Sequence, residues 1–203
     1  MISADKPVIA CFTPGTKIAT IKGETLVENL VAGDKVITRD NGIQDLRWIG
    51  QKKIDWRIMT ANPHLKPVLV RQGSLGHDLP ERDLMLSPNH RVLVGNDRTA
   101  LEFNASEVLV AAKHLIGGNS VRSIDSIGTT YIHFMFDRHE VVLSDGIWSE
   151  SFQPTDNSLK GFGNSQRAEI FEIFPDLQSA QGRAAYGSAR KSLTKEEAAL
   201  LAQ

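Results

Sequence analysis

Residues 11–42 read CFTPGTKIATIKGETLVENLVAGDKVITRDNG, and this stretch decides the fold class. TKIAT (16–20) and TLVENL (25–30) flank a Lys22-Gly23 turn, and KVIT (35–38) runs from Ala32-Gly33-Asp34 toward Asn41-Gly42. Apolar units this short are too brief for helices and suit strands. Asn-Gly between β-branched flanks is a hairpin signal, because both residues tolerate positive φ.

The same rhythm extends outward. IQDLRWIG (43–50), PVLVRQG (67–73), DLMLS (83–87), HRVLVG (90–95), SVRSIDSI (120–127), TTYIHFMF (129–136) and HEVVLSDG (139–146) are all short apolar stretches closed by turn residues. Ala105 to Leu115 fits either a pair of helical turns or a strand and turn. The spacing predicts an all-β domain over about residues 7–150 rather than a βαβ fold. Beyond Pro154, DNSLKGFGNSQ (156–166) reads as a loop. RAEIFEIF (167–174), ended by Pro175, reads as a short amphipathic helix. Thr194 with Glu197 forms a capping box ahead of a last helix. Helical content is thus expected mainly after Gln166.

Composition narrows the function. With 203 residues, 41% of them apolar, the chain can bury a core unaided. A formal charge of −1 supplies no pull toward nucleic acid or anionic lipid. No apolar run is long enough to span a bilayer. MISADKPVIA does not read as a secretory signal, so a cytoplasmic location is the default expectation, with export by another route open. Oligomeric state is not legible. Cys11 is the sole cysteine, which excludes an intrachain disulfide and a cysteine-rich zinc cage. HEVVL lacks the second histidine of a zinc helix, and the spacing of His133, Asp137 and His139 suits a metal poorly. Phosphate-cradling loops and a nucleophile elbow are also missing, so neither metal nor cofactor is expected.

Cys11 is where chemistry could sit. It follows a short apolar run, Pro7 to Ala10, and precedes a Thr13-Pro14-Gly15 turn. A lone cysteine is commonly an inert small hydrophobe. A thiol at a sheet edge can also attack an outside substrate, or the carbonyl of the preceding residue, Ala10. The latter converts an amide into a thioester and needs a base for the thiol and a proton for the departing nitrogen. Imidazole suits both near neutrality. His90, with Ser87 three residues earlier in LSPNH, is the most suggestive partner, although a turn histidine alone reads as a solvated or capping residue. Cys11 and His90 are therefore expected within direct or one-water reach of each other. His133 shares a strand face with Tyr131 and Met135, where a hydrogen-bonded structural role is the simpler reading. His64 and His77 lie in Pro/Gly-rich loops and receive no role.

The opening stretch resembles the start of a Hint domain, the self-processing module of inteins and Hedgehog proteins. It looks most like the bacterial Hedgehog/intein-type branch. RWIG, DLMLSPNHRVLV, EVLVAAKHL and YIHFMFDRHEVVLSDGIWSESFQP carry the likeness onward, so it covers about residues 7–175, with 176–203 as a tail bearing a short helix. The resemblance implies an all-β, horseshoe-like fold of pseudo-twofold symmetry. It implies that Cys11 performs an N-to-S acyl shift at the Ala10–Cys11 bond, that His90 activates that bond, and that Ser87, in a threonine place, assists. His133 occupies the neighbourhood of the family's aspartate, and His139 with Gly146 falls at fitting places in the last block; with Cys11, Ser87 and His90, His133 and His139 complete the candidate catalytic set. Where the splicing pattern ends in His-Asn, this chain reads Glu150-Ser151. Serine has no carboxamide to cyclise. The expected function is thus cysteine-dependent self-cleavage or acyl transfer without full splicing. The expected substrate is the chain's own N-terminal flank, with a small nucleophile or thiol to resolve the thioester. The alternative is an inactive Hint fold acting as a binding or accessory module.

Overall fold

The structure is a computed structural model that describes residues 10–201. The part of the expected domain before Ala10, and with it most of MISADKPVIA, lies outside the described residues. Among the described residues, thirteen strands form three antiparallel assemblies. The largest sheet has the order β2 (Gly23–Leu26), β1 (Lys17–Thr20), β3 (Lys35–Thr38), β12 (Val141–Ser144), β13 (Ile147–Glu150), β8 (Arg91–Val94) and β9 (Val108–Ala111), with β4 (Gly42–Asp45) paired to β3. A three-stranded sheet runs β10 (Val121–Ser123), β6 (Val68–Val70), β7 (Leu84–Leu86). A long ribbon pairs β5 (Trp48–Asp55) with β11 (Gly128–Met135) over eight residues each.

The local reasons are those of hairpins. β12 and β13 turn on Asp145-Gly146, both at positive φ, as a two-residue hairpin loop requires. Alternation then faces Ile18, Val36, Val92 and Val142 into one core with Phe12, Leu86, Phe134 and Phe136.

The expectation of an all-β, horseshoe-like domain is wrong. The fold is mixed α/β with open, uncurled sheets, and 28% of it is helical. Six α-helices occur among the described residues: α1 (Trp56–Ala61), α2 (Asp97–Phe103), α3 (Asp156–Leu159), α4 (Asn164–Ile173), α5 (Ala180–Tyr186) and α6 (Lys195–Leu201). Caps explain what periodicity missed. The Asp55 carboxylate accepts the Ile58 N–H (2.9 Å) at the start of α1, and Asn96 with Thr99 closes a capping box on α2. Another box, Thr155 with Ser158, nucleates α3 inside the segment expected as loop. These helices are one or two turns long, too short to show a 3.6-residue period in sequence. The Thr194–Glu197 box is closed in both directions, as its sequence suggests. Ala105 to Leu115 resolves into β9 followed by a 3₁₀ turn, Ala112–His114.

The C-terminal segment packs on the ribbon. Phe152, Leu159, Phe162, Ile170 and Leu177 bury against Trp48 and Met135. Farther on, Leu109 exchanges backbone hydrogen bonds with Lys191 and Leu193, which extends the edge of β9. No helix among the described residues is long and apolar enough to cross a membrane.

Candidate functional site

Cys11 and Phe12 are stitched between two strands. Phe12 exchanges backbone hydrogen bonds with Ile132 on β11 (2.8 and 2.9 Å), and the Ser87 N–H donates to the Cys11 carbonyl at the end of β7 (3.0 Å). That register fixes the neighbours of the thiol. On one side His133 follows Ile132, and Cys11 Sγ lies 3.5 Å from His133 Nδ1. On the other, the Cys11 N–H donates to Ser87 Oγ at 2.9 Å.

Burial governs protonation here. It pushes the Cys11 thiol far up, and the adjoining Ser87 hydroxyl offsets this only in part. It lowers His133 to about 3, with Lys52 adding to the effect. The pair is therefore neutral, and in the tautomer that carries the ring proton on Nε2 the thiol donates to Nδ1. His133 packs edge-on to Phe162 (4.6 Å between ring centres) and is stacked on Trp48 (5.3 Å). Gly50, directly opposite His133, leaves room for Trp48, since a Cβ there would stand 2.5 Å from the indole.

His90 lies behind the peptide. The Ser87–His90 turn is closed by its own backbone hydrogen bond (3.0 Å), and the imidazole packs edge-on to Phe12 with ring centres 4.3 Å apart. Burial lowers His90 to about 4, opposed by the carboxylate of Glu150. The Cys11 backbone lies beside the ring and favours its protonated form without the alignment of a hydrogen bond. Neither ring nitrogen has a hydrogen-bond partner among the described residues.

Cys11, Ser87, His90 and His133 thus gather around one peptide unit. His139 stands in an adjoining cluster. Its Nε2 lies 3.2 Å from both Glu150 Oε2 and the Ser151 carbonyl, while the Ala189 N–H donates to Nδ1 at 3.0 Å. The accepting Nδ1 leaves the proton on Nε2. Glu150 is fully buried. Burial would raise its carboxyl, but Arg91 and His139 outweigh it and hold the group at about 2. The Arg91 N–H donates to Glu150 Oε1 (2.8 Å) and its guanidinium pairs with Oε2.

The sequence reading missed Lys52, His64 and Arg91. A cavity of about 110 Å³ beside Cys11 is bordered by Lys52, His64, Ser87, Tyr131 and His133. Lys52 pairs directly with Tyr131 across the ribbon, and only the β5–β11 register could have revealed that. Ala10 instead borders a neighbouring pocket with Arg91 and Glu150. Among the described residues, no three His, Cys, Asp or Glu side chains are grouped to hold a metal.

A sequence model of the Hint domain matches residues 10–156. No curated protein sequence matches. Among solved structures, the chain is similar to the bacterial intein-like domain from Clostridium thermocellum, at 16% identity and a TM-score of 0.46, covering 70% of this chain and 97% of that one. It is also similar to a DnaB intein from Synechocystis sp. PCC 6803, at 10% identity and a TM-score of 0.42, covering 70% of this chain and 98% of the other. With the match running from the residue before Cys11 through β13 and beyond, the chain belongs to the Hint domain family.

Proposed function

We propose that the chain is a self-processing domain in which Cys11 performs an N-to-S acyl shift at the Ala10–Cys11 bond, and that the resulting thioester is cleaved or transferred without full splicing. The observation that carries this reading is the pair of contacts on Cys11: Sγ on His133 Nδ1 at 3.5 Å and N–H on Ser87 Oγ at 2.9 Å. His133 accepts the thiol proton, and sulfur attacks the Ala10 carbonyl carbon. The Ala10–Cys11 C–N bond breaks as a proton reaches the nitrogen from His90, with Ser87 holding that nitrogen in place. The proton that His90 delivers is the one His133 took from sulfur, passed to His90 through water before the C–N bond breaks, so the net change is one proton moved from sulfur to nitrogen. Low-pKa imidazoles are poor proton donors at neutrality, which makes the step slow unless the peptide is strained or the flank engaged.

At the other junction the Ser151 carbonyl is held by His139, but Ser151 has no carboxamide with which to release its C-terminal side. Phe152 continues into the core. Excision and ligation are therefore left out of the proposal.

A second reading, an inactive Hint fold used as a binding module, is favoured by the depth of the thiol: Cys11 is 3% exposed and held protonated. Intact-mass measurement on the fresh full chain, with and without dithiothreitol, separates the two. Thiol-dependent loss of the segment ending at Ala10, leaving a product that begins at Cys11, is the expected result. An unchanged mass with the fold intact would transfer the function to the binding module.

A further inference from the structure

The cavity beside Cys11 has a one-sided charge. Its border carries the ammonium of Lys52 and the rings of His64 and His133, and no Asp or Glu among the described residues. Lys52 is exposed at the rim of the cavity, where its ammonium hydrogen-bonds the Gly161 carbonyl (3.3 Å), itself part of the border. Glu150, the carboxylate that disfavours the Cys11 thiolate, borders the neighbouring pocket and is paired with Arg91. Ile54, Leu65 and Tyr131 supply apolar walls. At about 110 Å³ the space is smaller than one that holds benzene, so it suits a guest of about five heavy atoms.

We propose that this cavity is an entry site for a small anionic nucleophile, of the size and charge of a mercaptocarboxylate, and that Lys52 selects it over neutral and cationic molecules of similar size. Its consequence for the reaction rests on the thioester reading above; its charge preference does not. In the reaction, the incoming thiolate attacks the thioester carbonyl, the C–Sγ bond breaks, and Cys11 leaves as a thiolate. The proton that the incoming thiol gave up passes through His133 to Cys11, so a thiol and a thioester become a new thioester and a free Cys11 thiol. The carboxylate of the guest remains at Lys52.

Two measurements on the full chain test this. The first compares alkylation of Cys11 by iodoacetate and by iodoacetamide, each rate divided by that of a small free thiol. Expected is a two- to fivefold preference for the anion that falls toward unity in high salt and in Lys52→Met, and that survives in Lys52→Arg. A normalised ratio of one, or a folded chain whose thiol reacts with neither reagent, overturns the proposal. The second compares release of the N-terminal segment by thioglycolate, 2-mercaptoethanol and cysteamine, each rate divided by its rate on a small thioester at the same thiolate concentration. Expected is that order, fastest first, with the differences lost in Lys52→Met. Release without that order defeats the proposal and leaves self-processing standing. Anion-preferring alkylation with no release by any thiol does the reverse.

Discussion

The two ends of the matched region are built from similar parts and treat them differently. Around Cys11, His90 and His133 are buried, uncharged and short of hydrogen bonds: neither nitrogen of His90, nor Nε2 of His133, has a partner among the described residues. Around Ser151, His139 is bonded at both nitrogens and Glu150 is an ion held by Arg91. Unspent hydrogen-bonding capacity in a buried group costs stability and persists where a reaction uses it; saturated groups fix geometry. The contrast teaches that the buried imidazoles at the first junction are left neutral with hydrogen-bonding capacity to spare, whereas at the second the imidazole is bonded on both sides and the carboxylate is tied up in ion pairs.

The sharpest break of that contrast is Cys11→Ala, which should abolish N-terminal scission while the domain still folds, as read by intact mass and circular dichroism. His90→Ala should slow release by about 10²- to 10⁴-fold, the usual worth of a positioned acid–base group. An unchanged rate would remove His90 from the chemistry. At the second junction the largest effect should be on stability. Glu150→Ala removes the buried carboxylate that pairs with the half-buried Arg91 and with His139, and should cost about 1–3 kcal/mol in denaturant unfolding. Ser151→Ala should leave the N-terminal rate unchanged.

Acid should act on both ends in the same direction. His90 and His133 have folded values of about 4 and about 3, below their unfolded value near 6.5. Each therefore favours the folded state above pH 6.5, and that contribution is lost as pH falls toward the folded value. Glu150, held at about 2, loses its contribution as pH falls from about 4.5 toward 2. Melting at pH 4.5 should be weaker than at pH 7 by about 2 kcal/mol for each histidine, and His133→Phe should flatten the profile. A melting temperature independent of pH between 4.5 and 7 would contradict the neutral-imidazole picture. The smallest change in rate expected is that of Ser87→Ala, leaving aside the null effect of Ser151→Ala: it removes one neutral hydrogen bond worth about 0.5–1.5 kcal/mol and should slow release less than tenfold.

Turn chemistry made the strands readable: Lys22-Gly23, Asn41-Gly42 and Asp145-Gly146 each sit at a hairpin of the large sheet. The helices were hidden because caps such as Asp55 and Asn96 act over three residues and leave no period to count. Cys11, Ser87 and His90 were legible from one peptide unit's needs and from resemblance. The contact of His133 with the thiol was not, because it depends on Phe12 pairing with Ile132, a register that no local pattern encodes. Lys52 and Arg91 were missed for the same reason: their roles are set by cross-strand partners.

The stitching of Phe12 to β11 also sets a clock. Cys11 meets His133 at a separation of 122 positions, so the thiol is made long before the imidazole it contacts. At about 5–20 residues per second, synthesis inserts a delay of roughly 6–25 s between them. A nascent chain arrested before Gly128 should carry an unreactive peptide bond at Ala10, while one extended well past Glu150 should not. Whatever polypeptide is joined upstream would therefore have left the ribosome, and had time to fold, before its link to this domain could open.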